Sequence, residues 1–177
     1  QLLKRINDFN FVQNPKWWIG FSDITTIHLT LQSQGLASIH APMVMQFNLQ
    51  NEFNETNQRY LFNALTGNTI NIGLRDNEIL NKSNFEGQLI GGNLSLIFAH
   101  AGISKMNNVG KVLFIEDLDE YLYHIDRMIC SLKMGGAFEG LKALVVGSMM
   151  EMNDNAIPFG MNVKEIILEH LGNEGFP

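Results

Sequence analysis

The sequence predicts an α/β protein built on parallel strands, and three observations carry that prediction. Short runs such as "VLFI" and "ALVV" are continuously apolar, the pattern of strands buried on both faces as parallel sheets require. Between them lie stretches in which apolar residues recur every three or four positions, the period of an amphipathic helix. The two kinds of segment alternate, and the first strand, helix and strand fall within about 30 residues, as in a parallel βαβ unit.

Taken in order, Trp17 to Phe21 reads as a buried strand closed by Gly20 and a turn. Ile24, Ile27, His28 and Leu31 then follow helical spacing, with Gly35 as the C-terminal cap. Ala37 to Met43 is the second strand, ended by Pro42. Glu55 to Leu65 is expected to be helical and to stop at Gly67 and Asn68. The polar stretch Arg75 to Gly87 has the composition of a linker and divides the chain into residues 1–74 and 88–177. Beyond it, Gly91 and Gly92 read as a loop feeding a helix capped by Asn93. Val112 to Ile115 is a buried strand that runs into Glu116, Asp117, Asp119 and Glu120. Leu122, Ile125, Ile129 and Leu132 form a core-facing helical stripe, stopped by Gly135 and Gly136. A last strand around Ala143 to Gly147 and a helix over Val163 to Leu171 complete the pattern.

Composition narrows the function. Of 177 residues, 45% are hydrophobic, ample for a packed core. Twelve basic against 18 acidic residues leave a net charge of −6, which argues against a nucleic-acid backbone or an anionic membrane as the main partner. The single cysteine, Cys130, excludes an internal disulfide and a cysteine-based zinc site within this stretch. The acidic run lacks the spacing of a calcium loop, so no metal and no cofactor are expected. No apolar run approaches the roughly 20 residues that span a bilayer.

The chemistry centres on "GFSD", where a strand hands over to a helix. Ser22 there is open to two readings. It or Asp23 caps the helix, since both are favoured N-cap residues; or Ser22 is a nucleophile on a sharp strand-to-helix turn, beside free N–H groups able to stabilise an oxyanion. The G-x-S-x-G elbow is incomplete, because position 24 is Ile. Among the histidines, His28, His124 and His170 fall within helices and suit structural or surface roles, and His100 ends a helix where a cation meets the dipole. Only His40, at a strand end, stands where α/β folds build sites, and Glu116 shares that kind of position.

Three blocks together resemble one family. "NPKWWIGFSDIT" with "HAPM" downstream is similar to the pattern N-P-K-x-x-x-G-[YF]-S-D-x-T and H-G-P-M of the LD-carboxypeptidases, serine peptidases that include the microcin C self-immunity peptidases. "GGNLSLI" and "VLFIEDLDEYLYHIDRMICSLKMGG" continue the resemblance in order and spacing. It implies the remainder of an N-terminal parallel-sheet α/β domain plus a C-terminal α/β domain, with the active site between them. It also implies a Ser-Glu-His triad with Ser22 as nucleophile, Glu116 as acid and the Asp23 backbone N–H in the oxyanion hole. His40, Gly92 and Asn93 would line the substrate site.

The family's histidine lies in a G-F-P-x-G-H motif, of which this stretch holds Gly175, Phe176 and Pro177. The chain is therefore expected to be a fragment without its N-terminal segment and catalytic histidine, inactive by itself. The implied substrate is a muropeptide tetrapeptide, cleaved at the L,D-bond to its terminal D-alanine during cytoplasmic peptidoglycan recycling by a homodimer. Arg127 and Lys133 are candidates for the substrate carboxylate by charge alone. Alternatives are a self-immunity peptidase acting on a peptide-nucleotide antibiotic, and an inactive muropeptide-binding domain.

Overall fold

The computed structural model describes residues 2–6, 9–48, 52–74 and 83–177. The chain divides into two compact units, Gln1–Ile79 and Leu80–Pro177. Of the expected linker, residues 75–82 lie outside the described residues, and 83–87 are exposed and irregular.

The first unit opens with helix α1 (Leu2–Ile6), which lies against α2 (Thr25–Ser33) and whose Ile6 is buried. Strands β1 (Ile19–Gly20) and β2 (Ile39–His40) flank α2 and pair in parallel, with Ile19 opposite Ile39 and Gly20 opposite His40. The βαβ unit read from the sequence is therefore present, with strands of two residues in place of five and seven. Pro42 has no N–H to extend the second strand. Trp17 stays 56% exposed instead of entering a sheet. Trp18, next to it, packs edge-on against Phe11 with ring centroids 5.3 Å apart and anchors the approach to β1. A 3-10 turn at Val44–Asn48 leads toward α3 (Glu52–Thr66), longer at both ends than its apolar spacing suggests.

The second unit is a three-stranded parallel sheet in the order β3 (Gln88–Asn93), β4 (Lys111–Leu118), β5 (Ala143–Met150). Helices α4 (Leu94–Ala101), α5 (Leu122–Met134) and α6 (Val163–Leu171) follow the strands in turn. The expected stripe on α5 is buried at Ile125, Ile129 and Leu132, joined by Met128. These side chains share the core with Leu113, Ile115, Leu94, Ile97 and Ile166, each fully buried. Asn162 starts α6 with a complete capping box, exchanging bonds with Glu165. The carbonyl of Pro177 accepts from the Leu144 N–H at 2.9 Å, so the last residue runs beside β5.

One difference from the sequence reading concerns the glycine pair. Gly91 and Gly92 belong to β3 and do not form a loop. A Cβ on Gly91 would come within 1.9 Å of the Phe114 carbonyl oxygen, and Gly91 holds a φ of +123°. Close approach of β3 to β4 is thus what requires glycine there. Gly91→Ala is expected to destabilise this unit by roughly 3 kcal/mol or more, through combined backbone strain and overlap. A chemical-denaturation midpoint equal to wild type would contradict that expectation.

Candidate active site

In the first unit the chain leaves β1 through Phe21, which is extended (φ −143°, ψ −177°), and turns sharply at Ser22. Ser22 has a φ of +61°, in the left-handed region, and its side chain is exposed. For a residue other than glycine that conformation costs roughly 1–2 kcal/mol. A 3-10 turn over Ser22–Ile24 then feeds α2. The cap reading of Ser22 and Asp23 fails: Phe21 and Ile24 occupy the N-cap positions of the turn and the helix, and neither helix start carries a side-chain cap bond. An N-cap needs extended backbone to aim its oxygen at the helix N–H groups, and left-handed Ser22 does not have it. Asp23 lies in the first turn, where backbone N–H groups have no partner from the helix itself.

The turn is braced from behind. Gly20 lets Ile24 fold back over the strand end, since a Cβ there would lie 3.1 Å from Ile24 Cγ2. The Gly20 carbonyl accepts from the Ala41 N–H at 3.1 Å and faces His28 Nε2 at 3.1 Å. A carbonyl cannot donate, so His28 carries its proton on Nε2. The His28 ring also lies 6.2 Å from that of His40, centroid to centroid. Burial lowers the His28 pKa, against the opposing effect of its bond to Gly20. Burial of the ring and then the charge of His28 lower His40 to about 4. The residue keeps an exposed edge where solvent screens part of that effect. Both imidazoles are neutral at neutral pH.

In the second unit Glu116 lies at the carboxyl end of its strand, as the sequence suggested, within the last three residues of β4 and at an irregularity. Ile115 pairs with Val146 and Asp117 with Met149, so Gly147 and Ser148 of β5 both stand opposite Glu116. Such bulges re-aim a side chain. Gly147 leaves room for it: a Cβ there would lie 3.3 Å from Glu116 Cβ and 2.7 Å from the Phe114 ring. Across β3, Asn93 stands in register with Glu116 and Gly92 with Ile115.

Asn93 is the hub of this group. Its Oδ1 caps α4, accepting from the Leu96 N–H at 3.2 Å and from Ser95 Oγ at 2.7 Å. Its Nδ2 donates to Asp117 Oδ1 at 2.8 Å, and its side chain also hydrogen-bonds Glu116. Asp117 further accepts from the Ser95 and Leu118 N–H groups at 3.0 and 2.9 Å. Burial and the adjacent Asp117 charge raise the Glu116 pKa, against the bond from Asn93. Burial likewise raises Asp117, opposed by its bonds from Leu118, Asn93 and Ser95. The result is a carboxylate, Glu116, held by an amide that is itself locked from two sides.

The remaining expected groups are engaged elsewhere. Lys133 Nζ meets Glu174 at 2.7 Å and the His170 carbonyl at 2.5 Å. The exposed Arg127 guanidinium sits 5.3 Å from the centre of the Tyr123 ring. His124 pairs with Glu120 at 2.6 Å and His170 with Asp126 at 2.7 Å. His100 closes α4 as expected, but burial lowers its pKa, so it brings no positive charge to the helix dipole at neutral pH. Sequence reasoning missed the parts of Asp117 and Ser95. Asp117 was visible only as one member of an acidic run, and the signal was its place beside Glu116 on the strand opposite the Asn93 cap.

This arrangement can be set against known proteins. The LD-carboxypeptidase N-terminal domain pattern matches residues 1–41 and the LD-carboxypeptidase C-terminal domain pattern matches residues 86–177. The chain is 31% identical over 180 residues to the probable murein peptide carboxypeptidase of Bacillus subtilis, covering 96% of this chain and 55% of that protein. It is 27% identical over 146 residues to the murein tetrapeptide carboxypeptidase of Pseudomonas aeruginosa, covering 78% of this chain and 48% of that one. The chain thus spans about half the length of these relatives. Two solved structures share the fold: the wild-type apo microcin C7 self immunity protein MccF and the muramoyltetrapeptide carboxypeptidase of Oxalobacter formigenes. The first superposes with a TM-score of 0.75 at 20% identity, over 94% of this chain and 58% of that one. The second gives 0.74 at 24%, over 97% and 60%. With its N-terminal and C-terminal patterns both matched, the chain belongs to the LD-carboxypeptidase family.

Proposed function

We propose that the full-length protein is a serine carboxypeptidase that hydrolyses the L,D-bond to the terminal D-alanine of muropeptide tetrapeptides, with Ser22 as nucleophile and Glu116 as the acid of a Ser-Glu-His triad. The observation that carries this reading is the Ser22 turn: an exposed hydroxyl on a left-handed residue that caps nothing. Strained residues of this kind persist where the surroundings over-determine them, and they cluster at active sites. The substrate class is supported by the names of the relatives in Bacillus subtilis and Pseudomonas aeruginosa.

In this mechanism Ser22 Oγ attacks the carbonyl before D-alanine while an imidazole takes its proton. The Asp23 N–H donates to the oxyanion. The imidazolium returns the proton to the D-alanine amine, the C–N bond breaks, and water then cleaves the serine ester by the same route. Glu116 orients the imidazole and stabilises its charged form. That base is assigned to the histidine of the family pattern G-F-P-x-G-H, which Gly175, Phe176 and Pro177 begin. His40, Gly92 and Asn93 are assigned to substrate contact. Turnover of murein fragments in the cytoplasm by a homodimer completes the reading, supported by the same resemblance.

The test is to incubate the full-length protein with a murein tetrapeptide and follow free D-alanine and the tripeptide by mass spectrometry. Release of both, together with covalent labelling by a fluorophosphonate at Ser22, is expected. An intact tetrapeptide under conditions where the protein is folded would refute the substrate assignment. A second reading has one observation in its favour: Trp17, five residues before Ser22, presents a 56% exposed indole able to stack on a base. A peptidyl-nucleotide amide run in parallel separates the two, because preferential cleavage of the nucleotide conjugate would select the self-immunity activity.

A further inference from the structure

We infer that His28 is a positioning residue of the nucleophile turn: its Nε2–H grips the Gly20 carbonyl, two residues before Ser22, and thereby fixes the path by which the chain enters the strained conformation at Ser22. The inference rests on the assignment of Ser22 as nucleophile. Nothing in the sequence pattern pointed to it, since a histidine on the apolar side of a helix reads as structural.

Position 28 belongs to the buried side of α2, together with Leu29 and Leu31, where a leucine would satisfy the helix and the core. The chain instead places an imidazole that is only 5% exposed and whose Nδ1 is buried with no hydrogen-bond partner. Burying an unsatisfied ring nitrogen opposes folding, so packing alone does not explain the choice. What the ring gains is the bond from Nε2 to the Gly20 carbonyl at 3.1 Å. That carbonyl does not need His28 for satisfaction, because the Ala41 N–H already donates to it at 3.1 Å. The second donor therefore adds direction: β2 holds the oxygen from one side and α2 from another. Gly20 is the one residue of β1 with broad backbone freedom, and only the extended Phe21 separates it from Ser22. Without that restraint, rotation at Gly20 would swing the serine hydroxyl, and misplacement by about 1 Å is enough to cost catalysis about 100-fold.

Two variants of the full-length protein test this. His28→Leu fills the volume without a donor, and His28→Gln offers an amide N–H in its place. His28→Leu is expected to slow both fluorophosphonate labelling of Ser22 and kcat for D-alanine release by about 10- to 100-fold. KM should stay within about threefold, because the loss falls on the reacting geometry and not on uniform binding. His28→Gln is expected to recover most of both rates, which a merely space-filling role would not allow. Nitrogen-15 NMR of the wild type should find His28 neutral with its proton on Nε2. A His28→Leu protein labelled at the wild-type rate overturns the inference. So does a folded His28→Gln as slow as His28→Leu, or a His28 protonated on Nδ1 alone; the NMR result decides even if a variant fails to fold. Labelling of the wild type that persists in Ser22→Ala refutes the nucleophile assignment itself. Labelling that is lost in Ser22→Ala yet unchanged in His28→Leu refutes only the role of His28.

Discussion

Replacing Ser22 with alanine in the full-length protein is expected to lower kcat/KM for D-alanine release by about 10⁴- to 10⁶-fold, the range found when a serine nucleophile is removed from a triad. The substitution keeps a Cβ and therefore keeps the left-handed strain, so the melting temperature should remain close to wild type. Ser22→Gly should be equally inactive but more stable. Relief of roughly 1–2 kcal/mol of left-handed strain, less about 0.5–1 kcal/mol for the added freedom of glycine when unfolded, leaves a net gain between about 0 and 1.5 kcal/mol. Inactivity accompanied by stabilisation is the mark of a residue held in place for chemistry. If Ser22→Gly were active, or clearly less stable than Ser22→Ala, the strain argument would be lost.

Glu116→Gln is expected to lower kcat by about 10⁴-fold, the cost elsewhere of neutralising a triad acid while leaving its shape. Its effect on stability should have the opposite sign. Burial and the Asp117 charge raise the Glu116 pKa, so the folded protein binds this proton more tightly than the unfolded chain. The contribution is present in full below the unfolded carboxylate value and is lost as pH rises through the higher folded value. At neutral pH the ionised group therefore weakens the fold, and Glu116→Gln should melt at a higher temperature than wild type. Thermal melts at pH 4 and pH 7 give the check: the gain from Glu116→Gln must shrink at the lower pH.

Much of the architecture could be read without coordinates, because it is written in short-range patterns. The stripe of Ile125, Ile129 and Leu132 gives the buried side of α5, and the run Val112 to Ile115 gives the centre of β4. The place of Asn93 before an apolar run marks it as a cap, and its Oδ1 accepts from the Leu96 N–H. Strand ends were less legible. Trp17 looks as apolar as Trp18 in the sequence, yet only tertiary packing separates the exposed indole from the one set against Phe11.

The sequence by itself determined the alternation of elements, the parallel βαβ unit around Ser22 and the helix periods, since each depends on residues a few positions apart. Tertiary structure alone decided the left-handed turn at Ser22, the bulge that aims Glu116, and the bonds that join Asn93 to Asp117 and His28 to Gly20. The physical reason is range. A helix period is enforced by neighbours one turn away, whereas the sign of one φ angle or the register opposite one glutamate is settled by contacts between segments distant in the chain.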